Sequence, residues 1–204
     1  MKKVIWVIFV ALCLFIGLYP GIYLLVERDF GLLQFKSQQL LADQLWNIGF
    51  YSHIFLGGLA LLIGWMQFSP KLRSKNIGLH RSIGKVYIIC VLISGISGLF
   101  IAQSATGGIS NRIAFSASAL VWLSTTLLAF RAVKNGNIDK HLEFMMYSYA
   151  VCFSAVTLRI WLPILSGITG DFTTAYSWVG WLSWVPNLFV AYFIILRRKR
   201  LALS

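Results

Sequence analysis

"VCFSAVTLRIWLPILSG", residues 151–167, reads as the second half of a membrane-crossing helix with an arginine, Arg159, in its interior. A full charge near the middle of a bilayer costs at least about 2.5 kcal/mol in insertion assays. Either the stretch lies outside lipid, or Arg159 has a reason to be there. Composition decides between the two. Of 204 residues, 58% are hydrophobic and only 12% charged, and the mean hydropathy is +0.77. A soluble domain carries about 25% charged residues, and no aqueous core of this length buries so much apolar side chain. Lipid is therefore the solvent for most of the chain.

Outward from this stretch, six apolar runs emerge, each near the roughly 20 residues that a spanning helix needs. They cover 4–26, 47–68, 83–104, 113–131, 143–166 and 177–196. The gaps "SPKLRSKNIG", "SATGGISN", "KNGNID" and "GITGDFT" are polar and turn-rich. The expected architecture is all-α: one polytopic membrane domain over 1–204, with spans 2–5 as a four-helix core and spans 1 and 6 flanking it. The first run follows Met-Lys-Lys, as a signal peptide would. It is too long for one and shows no A-x-A site, so it reads as a retained helix.

Basic residues set the expected orientation. With the N-terminus cytoplasmic, the inner segments hold Lys2, Lys3, Lys71, Arg73, Lys75, Arg81, Lys85, Arg131, Lys134, Lys140, Arg197, Arg198, Lys199 and Arg200. The outer segments hold Arg28, Lys36 and Arg112. Fourteen against three is a strong positive-inside bias. It places both termini in the cytoplasm and accounts for most of the +12 net charge. Nucleic acid is not an expected partner, because no soluble basic face exists to bind it; the lipid bilayer is. Cys13, Cys90 and Cys152 each fall in a span without a C-x-x-C, so neither a disulfide framework nor a zinc site is expected. No Walker, H-E-x-x-H, G-x-S-x-G or dinucleotide fingerprint is present.

Small residues recur at helical spacing: Gly57, Ala60 and Gly64 in span 2, and Ser94, Gly98 and Ala102 in span 3. Close helix packing explains them; room for a flat cofactor is the sharper reading. Pro163 lies four residues after Arg159 and cannot donate to its carbonyl, which predicts a kink there. His53 sits roughly 9 Å below the outer edge of span 2, and Arg159 at a matching depth in span 5. With Gln103 and Ser116 they form an expected outer polar cluster. His80 and His141 open spans 3 and 5 at the cytoplasmic side, as candidate axial ligands of a b-type haem iron. The two basic hairpin loops, ending in "HRSIGKVY" and "HLEFMMYSY", echo each other weakly. The bland readings are interfacial histidines and a snorkelling arginine.

His53, "HRSIGKVY", His141 before "MMYSYA", and Arg159 together resemble the small bacterial multi-pass proteins called domain of unknown function 2306. The resemblance spans roughly 47–166 and implies a helical membrane protein of bacterial type, with no reaction attached; the cytoplasmic membrane is the expected location. The arrangement is also similar in outline to diheme b-type membrane cytochromes, although three histidines fall short of two bis-histidine sites.

Two main functions fit these residues. In one, the chain is a haem- or quinone-linked redox protein: His80 and His141 ligate haem, while Arg159 and His53 hold a propionate or a quinone carbonyl. In the other it is a proton-coupled carrier or channel gated at the two histidine levels, with no carboxylate inside any span to support it. A non-catalytic accessory or assembly subunit is a third reading. Whether the chain is an enzyme is left open.

Overall fold

Polar caps, rather than the ends of the apolar runs, set where the helices begin. The computed structural model describes residues 2–26 and 31–203; Arg28, one of the three outer basic residues, lies outside the described residues. Helix α1 (Lys2–Leu18) continues as a 3₁₀ turn, Tyr19–Leu24. After a 3₁₀ turn at Gly31–Phe35 come α2 (Gln38–Ala42) and α3 (Gln44–Gly64), which runs on as 3₁₀ through Phe68. Helix α4 (Pro70–Lys75) leads into α5 (Ile77–Ala102). Then follow α6 (Gly108–Lys134), α7 (Ile138–Cys152), α8 (Ser154–Thr169), α9 (Phe172–Leu182) and α10 (Val185–Leu203). The protein is all-helical, and the helices make up six stretches long and apolar enough to cross a membrane. They run Lys3–Leu24, Gln44–Phe68, Ile77–Ala102, Gly108–Lys134, Ile138–Thr169 and Phe172–Leu201.

Four of the six begin earlier than the hydropathy predicts for one reason. Asp43, Asn76, Asn137 and Asp171 each accept backbone N–H groups of the first turn of α3, α5, α7 and α9. A capped polar turn is stable at the interface, so the helix starts at the cap and enters the apolar run later. Between α6 and α7 the turn is tighter still. Gly136 adopts φ +75°, Gly136 N–H bonds Val133 O (3.1 Å) and Asn137 N–H bonds Ala132 O (2.9 Å). This Schellman closure hands the chain directly to Asn137, the cap of α7.

The chain divides into two compact units, Met1–Thr106 and Gly107–Ser204, with three spans in each. In the first, α3 packs along α5 and α1 packs on α3. A Cβ on Gly58 would lie 2.7 Å from Gly17 O, so α1 and α3 approach at backbone distance. The segment 31–42 covers one end of this unit: Leu33, Leu41, Trp46 and Phe50 form a small core, and Lys36 Nζ donates to Ser104 O (2.5 Å) and Thr106 Oγ1 (3.0 Å). In the second, α6 packs on α7, and α9 lies against both α8 and α6. Fully buried Asn111 donates to Tyr176 O (3.0 Å) and presses so closely on Gly180 that no Cβ fits there.

Span 5 is not continuous, but its interruption does not lie at Pro163. Helix α8 runs through Pro163, and span 5 is interrupted instead at Phe153, where Val156 N–H bonds Phe153 O in a three-residue turn (2.9 Å). Span 6 is interrupted at Ser183 and Trp184, just ahead of Pro186, whose missing N–H leaves Leu182 O without its usual donor. One side chain joins the two breaks. Asn187 Nδ2 lies 3.2 Å from Ala150 O, 3.0 Å from Thr157 Oγ1 and 2.9 Å from Ser183 O, and the Thr157 hydroxyl also donates to Ser183 O. A break is tolerated where a neighbouring span supplies the donor, and that condition is met at Phe153.

Replacing Asn187 with alanine should therefore destabilise the protein by about 1–3 kcal/mol, the cost of leaving buried carbonyls unpaired. Unfolding curves in detergent that superimpose on wild type would show that the amide holds nothing. At the Asp171 cap, the Thr174 side-chain hydrogen bond, with help from the Thr174 and Thr173 amides, holds the carboxyl below the usual carboxylate range. A depressed pKa means the cap's contribution is complete above the unfolded-state value and disappears as pH falls through the folded one. Hydrogen exchange at the Thr174 amide should accordingly lose protection in that acid range, beyond the intrinsic pH trend. Asp171→Asn should abolish that extra loss, and an unchanged profile in the variant would sink the assignment.

Candidate functional site

The first unit builds its polar centre from span 2 outward. His53 is half-buried on α3, and it meets α5 at Ser94 and Gly98, one turn apart on the same face. Its Nδ1 lies 2.9 Å from Ser94 O and 3.3 Å from Ser94 Oγ, while Ser94 Oγ donates to His53 O at 2.8 Å. A carbonyl can only accept, so the Nδ1 proton is fixed by this contact and Nε2 carries the basic lone pair. Gly98 makes the contact possible: a Cβ there would fall 2.7 Å from Nδ1 and 2.9 Å from Cε1. The room left by this glycine is taken by the imidazole.

At the other end of this unit, His80 is the fourth residue of α5, and its N–H bonds the carbonyl of the capping Asn76 (3.1 Å). One turn on is Gly84, whose Cβ position is 3.5 Å from Gln67 Oε1, and Tyr87 on the same face is fully buried. Gln67 is itself buried, at 8% exposure, and its Nε2 has no hydrogen-bond partner among the described residues. Sequence reasoning overlooked Gln67, although a glutamine ending an apolar run ahead of Ser-Pro is a visible signal.

In the second unit, His141 repeats the local setting of His80: fourth in its helix, its N–H on the carbonyl of the capping Asn137 (3.0 Å). Its ring Nδ1 reaches back to Ala129 O on α6 (3.0 Å), which again leaves Nε2 basic. Glu143 is committed to Lys199 (2.7 Å), and Asp139 faces Arg198 (3.7 Å). Deeper in the same helix pair, the buried hydroxyls of Thr126 and Ser148 lie 2.7 Å apart.

Arg159 is half-buried on α8, and its Nη1 donates to Ala155 O, one turn back, at 2.8 Å. The side chain thus runs along its own helix toward the break at Phe153. Gln103 likewise donates to a carbonyl of its own helix, Leu99 O (3.2 Å), and Ser116 is half-buried on α6. His53 and His80 belong to the first unit; His141 and Arg159 belong to the second. Among the described residues, no group of three or more His, Cys, Asp or Glu gathers to hold a metal ion.

Six apolar spans, helices opened by asparagine caps and ring nitrogens held by backbone carbonyls define an all-helical, multi-pass integral membrane protein. The chain belongs to the family described as predicted membrane protein (DUF2306), whose model matches residues 50–195. That stretch contains His53, His80, His141, Arg159 and Asn187, and it reaches beyond the roughly 47–166 of the sequence resemblance to take in the sixth span. No curated protein and no solved structure matches the chain.

Gly98→Ala should displace the His53 ring and weaken its bond to Ser94, at a cost of about 1–3 kcal/mol. Gly167→Ala, in α8 with open space at its Cβ, should be neutral or stabilising by up to about 1 kcal/mol. Thermal unfolding of the two variants side by side tests the assignment; equal midpoints would mean that Gly98 is not shaped to His53.

Proposed function

We propose that the chain is a redox component of the bacterial cytoplasmic membrane, handling b-type haem or a quinone. The observation that carries this reading is the anchoring of two histidines through Nδ1. His53 bonds Ser94 O and His141 bonds Ala129 O. A histidine held in this way presents a basic Nε2 in a fixed direction, as metal-ligating and hydrogen-bond-accepting histidines require. His141 fits an iron ligand by this criterion in the second unit, and His80, with the same capped position in its helix, is the candidate of the first unit. His53 in the first unit and Arg159 in the second are each, separately, candidates for a propionate or a quinone carbonyl, because both combine partial burial with polar capacity inside a span. Bound haem would supply one-electron transfer; the protein's part is to hold and orient it. Both termini are assigned to the cytoplasm on the distribution of basic residues.

The optical spectrum of detergent-purified protein from haem-replete cells tests this reading directly. A Soret band that shifts on reduction is expected, together with its loss by at least about tenfold in His141→Ala, while helix content stays constant by circular dichroism. Colourless protein that also releases no quinone on solvent extraction would overturn both forms of the proposal.

A further inference from the structure

The motif "HRSIGKVY" contains two cations that the redox reading leaves unused, Arg81 and Lys85. They lie four residues apart, so they share one face of α5, and both are exposed. The same face continues as Val86, Ile89, Ile93 and Ile96, which are between 44% and 63% exposed. The opposite face, Tyr87, Cys90, Val91, Ser94 and Gly98, is buried against the unit. Helix α5 thus carries a continuous outward stripe, cationic at the first turns and apolar below.

Charge balance sharpens the picture. No Asp or Glu occurs between Asp43 and Asp139 in the sequence. Lys71, Arg73 and Lys75 of α4 add three more cations at the same end of the unit, and among the described residues none of these five cations forms an ion pair. In the second unit Arg198 and Lys199 are matched by Asp139 and Glu143, whereas Arg131, Lys134, Lys140, Arg197 and Arg200 form no ion pair among the described residues. The first unit therefore has an unneutralised cationic rim directly above an apolar, membrane-embedded stripe.

We propose that this face of α5 seats an anionic phospholipid, with the phosphate at Arg81 and Lys85 and an acyl chain along Val86, Ile89, Ile93 and Ile96. Each interfacial cation strengthens attachment to an anionic headgroup by about fivefold. The two together give a preference of about 25-fold over a zwitterionic lipid. The proposal is independent of haem or quinone.

The test is lipid retention by the full chain in detergent, read by native mass spectrometry with phosphatidylglycerol and phosphatidylcholine in competition. Wild type should retain phosphatidylglycerol selectively, and Arg81→Gln with Lys85→Gln should lose most of that selectivity. Lys134→Gln with Lys140→Gln, in the other unit, should keep it. If the first double variant does not fold, salt gives the same answer on wild type, because about 0.5 M NaCl must erase most of the preference. Equal retention of both lipids, or a preference indifferent to both salt and substitution, overturns the proposal. So does displacement of the lipid by millimolar inorganic phosphate, which would make the site one for free phosphate. A dimer that phosphatidylglycerol neither accompanies nor dissociates would assign the face to a second copy of the chain, with the same consequence.

Discussion

Lipid offers no hydrogen bonds, so any carbonyl released inside a span must find its donor within the protein. That constraint explains the most unusual part of this molecule, the pair of breaks in spans 5 and 6. Each break frees carbonyls at a depth where water is scarce. Asn187 serves both breaks, reaching Ala150 O in one span and Ser183 O in its own, with Thr157 bonded to both Asn187 and Ser183 O. Helix α8, by contrast, runs on through Pro163. Disruption costs least where a partner already stands, and the partner stands at Phe153.

The same constraint governs how polar side chains are buried elsewhere. Hydrophobicity gives helices no reason to associate within a bilayer, so close contact and hydrogen bonds must do so. Glycine recurs opposite the polar groups: Gly98 beneath the His53 ring, Gly180 beneath Asn111. In both places the missing Cβ lets a side chain press onto a neighbouring helix and reach a backbone carbonyl. Gly17 and Gly58 serve the simpler purpose of bringing two backbones together.

Local repetition is clearest at the basic hairpins. "NIGLH" at 76–80 and "NIDKH" at 137–141 fold alike, with asparagine as cap and histidine bonded to the cap's carbonyl. The weak echo between "HRSIGKVY" and "HLEFMMYSY" is thus a shared way of starting a helix at a membrane surface. Beyond the histidine the two helices diverge: Glu143 and Asp139 draw in the basic end of α10, whereas α5 meets no acid at all among the described residues.

The sequence by itself determined the solvent, the helical class and the six spans, because these depend on hydropathy summed over some 20 residues and not on any partner. It also singled out His53 and Arg159, ionisable groups inside apolar runs and conspicuous without a structure, and His80 and His141, which stand where spans 3 and 5 begin. Only the tertiary structure decided what holds His53, His141 and Arg159. The ring nitrogens rest on Ser94 O and Ala129 O, and Arg159 bonds Ala155 O; backbone acceptors have no signature in the sequence. Asn187 was visible beside Pro186, yet its importance depends on a break in another span, which no local pattern announces. Hydropathy is additive along the chain, whereas hydrogen bonding between helices depends on register and distance, and those are fixed only when the spans pack.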